Sequence, residues 1–266
     1  MKELIKSVIN TIRLNNLKDI GIRERISRYK PYINIEDQYT NTPITPFLSL
    51  KLTNLHAFQI GLVEEFVLTN RRCFKDELFI IDFGDSSGNH IQSIKKSLPN
   101  EILKTISSVS VNCDPVAVEK ITNKKMLAWQ MDICKLQYTS VPKNNKANIG
   151  ICFETLEHLN NPLDFISELG RFVDSFIFTV PYTTKSRVGF HHLKGKNAGI
   201  NREDLHIFEL CPKDWKLIFK HFGWKPIKEE IYYQYPKNSI LFPLYKMIWE
   251  YIDFSGFYGA ILRKEV

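Results

Sequence analysis

The sequence predicts an α/β fold: a mostly parallel sheet wrapped by helices, preceded by a helical appendage. Short apolar runs recur from Leu78 onward, at residues 78–81, 109–113, 149–153 and 176–180. Helical or loop-like segments separate them, and buried strands alternating with such crossovers argue for a parallel sheet. The chain before Leu78 lacks this rhythm and reads as helical and irregular.

In chain order, Leu4, Ile5, Val8, Ile9 and Ile12 recur at helical spacing, so the N-terminus reads as an amphipathic helix. Residues 31–46 hold Asn, Thr and Pro and read as a loop. Leu55, Phe58, Leu62, Phe66 and Val67 form a second helical stripe. Both stripes suit core or lid packing, because neither borders the dense basic row that a membrane-surface helix carries. Near the C-terminus, residues 227–233 and 259–262 read as strands and 242–252 as a helix between them. This divides the chain into a helical appendage or lid, 1–77, and a working α/β domain, 78–266.

Composition agrees with a globular chain: 44% hydrophobic and 24% charged over 266 residues. It excludes disorder and a small disulfide scaffold. The net charge of +7 suits an anionic partner, and solubility alone also accounts for it. Cys73, Cys113, Cys134, Cys152 and Cys211 form no CxxC pair, which fits reduced thiols in a cytosolic protein. Lys2, Glu3 and Lys6 interrupt any secretory leader after Met1, and no apolar run is long enough to span a membrane.

The first apolar run ends in Asp82 and opens into Phe83-Gly84-Asp85-Ser86-Ser87-Gly88, before a helix beginning near Asn89. Small residues let backbone approach a ligand, and a helix start presents free N–H groups. A dinucleotide fingerprint needs G-x-G-x-x-G; Gly84, Ser86 and Asn89 stand there, which argues against a nicotinamide enzyme. Taken alone, the turn also fits a bend that binds nothing. The second run ends in Asp114. A carboxylate at that strand tip accepts hydrogen bonds from both ribose hydroxyls, or caps the following helix. Met131-Asp132-Ile133-Cys134 comes next. The fourth run, ending in Phe153, enters Glu154-Thr155-Leu156-Glu157-His158 and an Asn-Pro turn at Pro162. The fifth leads into Pro181, and His206 opens a segment with a Pro212-Lys213-Asp214 helix start and a glycine stop at Gly223.

In this collinear order the motifs resemble class I S-adenosylmethionine-dependent methyltransferases of the Leu-Glu-His small-molecule type. Asp82, Gly84 and Gly88 resemble the family's first motif, with Ser86 where a third glycine usually stands. The resemblance implies a Rossmann-like sheet with an antiparallel C-terminal strand, S-adenosylmethionine as cofactor and S-adenosylhomocysteine as product. It implies cofactor contacts at Asp82, Gly84, Ser86, Gly88, Asp114, Asp132, Ile133 and Phe153. Asp114 would meet the ribose, Asp132 the adenine amino group and Ile133 the ring. It gives catalytic roles to Glu157, His158 and His206.

Glu154, Glu157, His158 and His206 also form a candidate site for a divalent metal. The i, i+3, i+4 spacing puts three ligands on one face if the loop enters a helix. Carboxylate and imidazole suit Mg²⁺, Mn²⁺ or Zn²⁺ without choosing among them. Certain quinone O-methyltransferases and small-RNA terminal 2′-O-methyltransferases among the resembled proteins hold an ion this way. Others carry Leu-Glu-His with no metal, and Glu157 and His158 would then brace the loop.

Between Tyr182 and Arg202 the chain holds Lys185, Arg187, Lys194, Lys196, His191 and His192, with Gly189, Gly195 and Gly199 and no acid. Such a loop could close on an anionic acceptor, or lie solvated on the surface. The leading expectation is O-methylation of a small anionic metabolite, such as a phosphorylated or nucleotide-linked sugar of bacterial surface-polysaccharide synthesis. A metal-dependent RNA ribose methyltransferase is the rival, although no RNA module or extended basic face is visible. A binding protein that kept the fold without catalysis is the other.

Overall fold

The computed structural model describes residues 2–16, 20–39, 43–74, 77–138, 146–188, 206–252 and 254–265. Helix α1 (Lys2–Asn16), α2 (Ile20–Tyr29) and α3 (Pro46–Thr69) come first. Then follow β1 (Leu78–Phe83), α4 (Asn89–Ser97), α5 (Asn100–Leu103), β2 (Ile106–Asn112), α6 (Pro115–Asn123) and β3 (Ala128–Gln130). The chain continues through β4 (Ala147–Phe153), α7 (Pro162–Leu169), β5 (Val173–Tyr182) and the short β6 (Arg187–Val188) and β7 (Phe208–Glu209). It closes with α8 (Pro212–His221), β8 (Trp224–Tyr233), α9 (Phe242–Ile252) and β9 (Gly256–Lys264).

Seven strands form one sheet in the order β3-β2-β1-β4-β5-β9-β8, and β6 pairs with β7 separately. The neighbours from β3 to β5 are parallel, whereas β9 runs antiparallel to both β5 and β8. The expected parallel sheet with a reversed C-terminal strand is therefore present. The strand order turns around between β1 and β4. That reversal opens a crevice at the C-terminal ends of these strands, where α/β sheets bind ligands.

Strand alternation divides the core between two faces. Ile80, Ile149, Ile151, Ile177 and Ile261 point to one face, where Phe58, Leu62 and Phe66 of α3 cover them. Phe83, Cys152, Phe176 and Phe178 point to the other, against Phe165, Trp215 and Phe219. A Cβ added at Gly259 of β9 would lie 2.6 Å from Leu62 and 2.9 Å from Phe58, so α3 rests directly on the sheet. Burying each such side chain contributes about 1.5–3 kcal/mol. The division drawn near residue 77 thus marks the start of β1 and not a break in packing: α3 is part of the main core.

Thr45 caps α3 by accepting the Leu48 N–H at 3.3 Å, with Pro46 at the first helical position. Some elements exceed or escape the apolar pattern. α2 is rich in arginine, yet its Ile22, Ile26 and Tyr29, at helical spacing, pack in or against the α3-side core. β3 has only three half-buried or exposed residues at the sheet edge. Among the described residues, no helix is long and apolar enough to cross a membrane.

Candidate cofactor and acceptor site

Asp82 is the penultimate residue of β1 and is buried. Its Oδ2 has no hydrogen-bond partner; His90 Nδ1 of α4 lies 3.6 Å away. Burial, reinforced by the charge of Asp85, pushes the Asp82 carboxyl up to about 7. Burial works to lower His90, but its attraction to Asp82 and the charge of Asp85 outweigh it and raise its pKa. His56 of α3 meets His90 at a tilt with ring centroids 4.6 Å apart, and burial holds its pKa well below its ordinary range.

The turn after β1 needs glycine twice, with φ of +89° at Gly84 and +78° at Gly88. Their missing side chains make room for the protein itself. A Cβ at Gly84 would meet Thr155 at 2.4 Å, and one at Gly88 would meet Met126 at 3.0 Å. Sequence reasoning passed over Asp85, which fixes the turn from inside. Its Oδ1 accepts the N–H groups of Ser87 (3.0 Å) and Gly88 (2.7 Å), and its Oδ2 accepts the Ser110 hydroxyl (2.6 Å). Ser86 donates its hydroxyl to the Gln38 carbonyl at 2.9 Å.

Asp114 is exposed at the tip of β2 and caps α6, one oxygen accepting the Val116 N–H at 3.0 Å. Capping and ribose binding are compatible, since the cap uses one oxygen of two. Asp132 is half-exposed and accepts the Cys134 N–H, while Ile133 is buried in the second core cluster. Phe153 shares a face of β4 with Ile149 and Ile151, and its ring packs in the α3-side core, edge-on to His90 at 5.1 Å.

The segment after β4 is a loop, as read from the sequence, and it does not enter an α-helix at these residues. Glu154 adopts a left-handed conformation, φ +48°, and Leu156–His158 form one 3-10 turn. The Glu157 carbonyl then accepts the Ile207 N–H at 2.7 Å, which draws His206 to the turn. Ligand atoms of Glu157, His158 and His206 lie within 4.8 Å of one another; Glu154 is not in this group. The rings of His158 and His206 meet edge-on at 4.5 Å. Glu157 is buried with neither carboxylate oxygen hydrogen-bonded. Burial, helped by the charge of Glu154, raises its carboxyl well above the usual range.

Two further residues join this cluster without any motif to announce them. Buried Glu209 pairs with Arg187 at 2.8 Å and lies 3.3 Å from His206 Nδ1. Phe254 stacks on His206 at 5.1 Å. Phe254 also lines a cavity of about 420 Å³, together with Ser255 and residues 182–187. The cavity therefore adjoins the Glu157–His158–His206 cluster. Of the basic loop, Lys185 and Arg187 line this cavity, whereas Gly189, His191, His192, Lys194, Lys196, Gly199 and Arg202 lie outside the described residues.

No family model and no curated protein matches the chain. Solved structures do. A methyltransferase of Clostridium acetobutylicum that depends on S-adenosylmethionine superposes with a TM-score of 0.52 at 11% identity, over 78% of this chain and 91% of its own. An O-methyltransferase from a Brevibacillus brevis polyketide synthase, bound to S-adenosylhomocysteine, gives 0.53 at 11% identity, over 81% and 74%. The N-terminal domain of EvdMO1, with SAH bound, gives 0.50 at 10%, over 91% and 97%. The chain has the class I methyltransferase fold. Asp82 places a buried carboxylate, with His90 3.6 Å away, near the C-terminal end of β1, just before a turn held in place by Asp85.

Proposed function

We propose that the chain is an S-adenosylmethionine-dependent methyltransferase that methylates a hydroxyl of a small anionic metabolite. A phosphorylated or nucleotide-linked sugar of bacterial surface-polysaccharide synthesis is the acceptor class we favour. One observation carries this reading. Two imidazoles and a buried carboxylate converge beside a cavity lined by Lys185, Arg187, Tyr182, Thr183, Thr184 and Ser186. The Brevibacillus neighbour is itself an O-methyltransferase.

S-adenosylmethionine, when bound, supplies an already activated methyl group. Positioning and water exclusion are then the main tasks left to the protein. Asp82 would hold the ammonium of the methionyl end, and Asp114 the ribose hydroxyls. Lys185 and Arg187 would orient the acceptor's anionic group. An imidazole, His158 or His206, would take the acceptor's hydroxyl proton. Alternatively, Glu157, His158 and His206 would hold a divalent ion, which would polarise the acceptor's hydroxyl and lower its pKa, the imidazoles then serving as ligands and not as proton acceptors. The unpartnered Glu157 oxygens favour that option. In this reading the protein works in the cytosol, where its free cysteines stay reduced.

Calorimetric titration with S-adenosylhomocysteine tests the assignment. The chain should bind it with a well-defined 1:1 heat, and Asp114→Ala should weaken binding by about 1–3 kcal/mol through lost charged hydrogen bonds. An absence of binding would remove the enzyme reading altogether; unchanged affinity in the variant would remove Asp114 from the site.

A further inference from the structure

Residues 33–39 lie between the 3-10 turn Lys30–Tyr32 and α3 and carry no regular structure of their own. Gln38 in this segment is nevertheless buried, at 7% exposure. Its backbone N–H donates to the Ile35 carbonyl within the segment, and the partners of its carbonyl and side chain belong to the turn after β1 or the start of α4. The Gln38 carbonyl accepts the Ser86 hydroxyl at 2.9 Å, and its Nε2 donates back to the same hydroxyl oxygen at 3.1 Å. Its Oε1 accepts from Ser87 Oγ and from Asn89 Nδ2, both at 3.3 Å.

Asp37 extends the attachment. Its carboxylate accepts from Asn89 Nδ2 at 2.9 Å and pairs with Lys124 Nζ at 2.6 Å. Lys124 in turn donates to the Ser87 carbonyl at 2.7 Å and to Asn89 Oδ1 at 2.8 Å. Lys120 Nζ donates to the Asp37 carbonyl at 3.2 Å. Ser86 stands where the resembled motif has glycine. A glycine there could make neither side-chain bond, and an alanine would strand both the Gln38 carbonyl and its amide.

We propose that Gln38 is a positioning residue for cofactor binding: it locks Ser86 and thereby sets the shape of the turn that receives the methionyl end of S-adenosylmethionine. The inference rests on the functional reading above. Ser86 is in this view the turn's half of a two-residue latch, and Asp37 with Lys124 keeps the latch closed. Affinity for the cofactor then depends on a segment remote in sequence from every cofactor motif.

The test is calorimetric titration of the full chain with S-adenosylhomocysteine, alongside urea denaturation without ligand. Gln38→Ala should weaken binding about tenfold, the equivalent of one or two neutral hydrogen bonds. Ser86→Ala, a smaller change, should weaken it by about three- to tenfold. The double variant should bind no worse than Gln38→Ala, because both substitutions break one latch. A purely structural role would lower the urea midpoint while leaving affinity within twofold of the parent. That result, or fully additive losses in the double variant, would overturn the proposal. Should Gln38→Ala fail to fold, Ser86→Ala decides alone by the same affinity criterion. If the parent chain itself fails to bind, the methyltransferase reading falls and the latch with it. A binding parent with unaffected variants refutes the latch only.

Discussion

At the scale of single residues, Asp82 carries the most distinctive chemistry. Burial and Asp85 move its carboxyl from the ordinary 3.8 to about 7. Between roughly pH 4 and 7 the folded chain therefore keeps a proton that the unfolded chain has released. The unfolded state binds fewer protons there, so this group's contribution to stability falls as pH rises. His90 acts in the same direction, since its raised pKa holds a proton that the unfolded chain gives up. Asp82→Asn removes the Asp82 contribution. Its stability relative to the parent should increase by more than about 1 kcal/mol from pH 5 to pH 8, measured by urea denaturation at both values. A difference independent of pH would mean that Asp82 is ionised throughout that window. The deprotonated form is also the one that attracts an ammonium, so the same substitution should weaken S-adenosylhomocysteine binding more at pH 8 than at pH 5.

At the scale of elements, the turn after β4 shows what spacing alone leaves undecided. Glu154, Glu157 and His158 have the separation of one helix face, yet the chain makes a left-handed residue and a single 3-10 turn instead. Glu154 falls outside the cluster, and His206 enters it through the backbone bond from Ile207. The convergence itself was legible because motif order on a known sheet puts these loops at one edge. Glu209 was not legible, because a lone acid in a two-residue strand carries no pattern. β3 was missed for a similar reason: an edge strand with little burial needs no apolar run. The cluster makes a prediction of its own. Millimolar Mn²⁺ should raise the melting temperature by several degrees, as a ligand well above its Kd does, and Glu157→Gln should abolish the shift. A parent chain indifferent to Mn²⁺, Mg²⁺ and Zn²⁺ would leave Glu157 and the two histidines as loop braces and proton carriers.

Across the whole molecule, the apolar rhythm after Leu78 made the sheet readable, because buried parallel strands must be apolar on both faces. The chain before it was harder to place. The stripe on α3 was visible as a stripe, but nothing in its spacing told a lid from a core helix; the bare Gly259 beneath Leu62 and Phe58 decides for the core. Gln38 was invisible for the opposite reason, since its burial depends on partners some fifty residues away. These features together make the crevice between β1 and β4 the centre of the molecule. α3 packs against the sheet, the 33–39 segment bonds the turn after β1, and the β4 cluster stands beside the cavity lined by Phe254, Ser255 and residues 182–187. A crystal structure grown with S-adenosylhomocysteine tests that arrangement most directly. Its methionyl end should lie against residues 82–88, with the ribose hydroxyls within hydrogen-bond distance of the Asp114 carboxylate. Density for the nucleoside anywhere else, or a turn closed by its own side chains at saturating ligand, would contradict it.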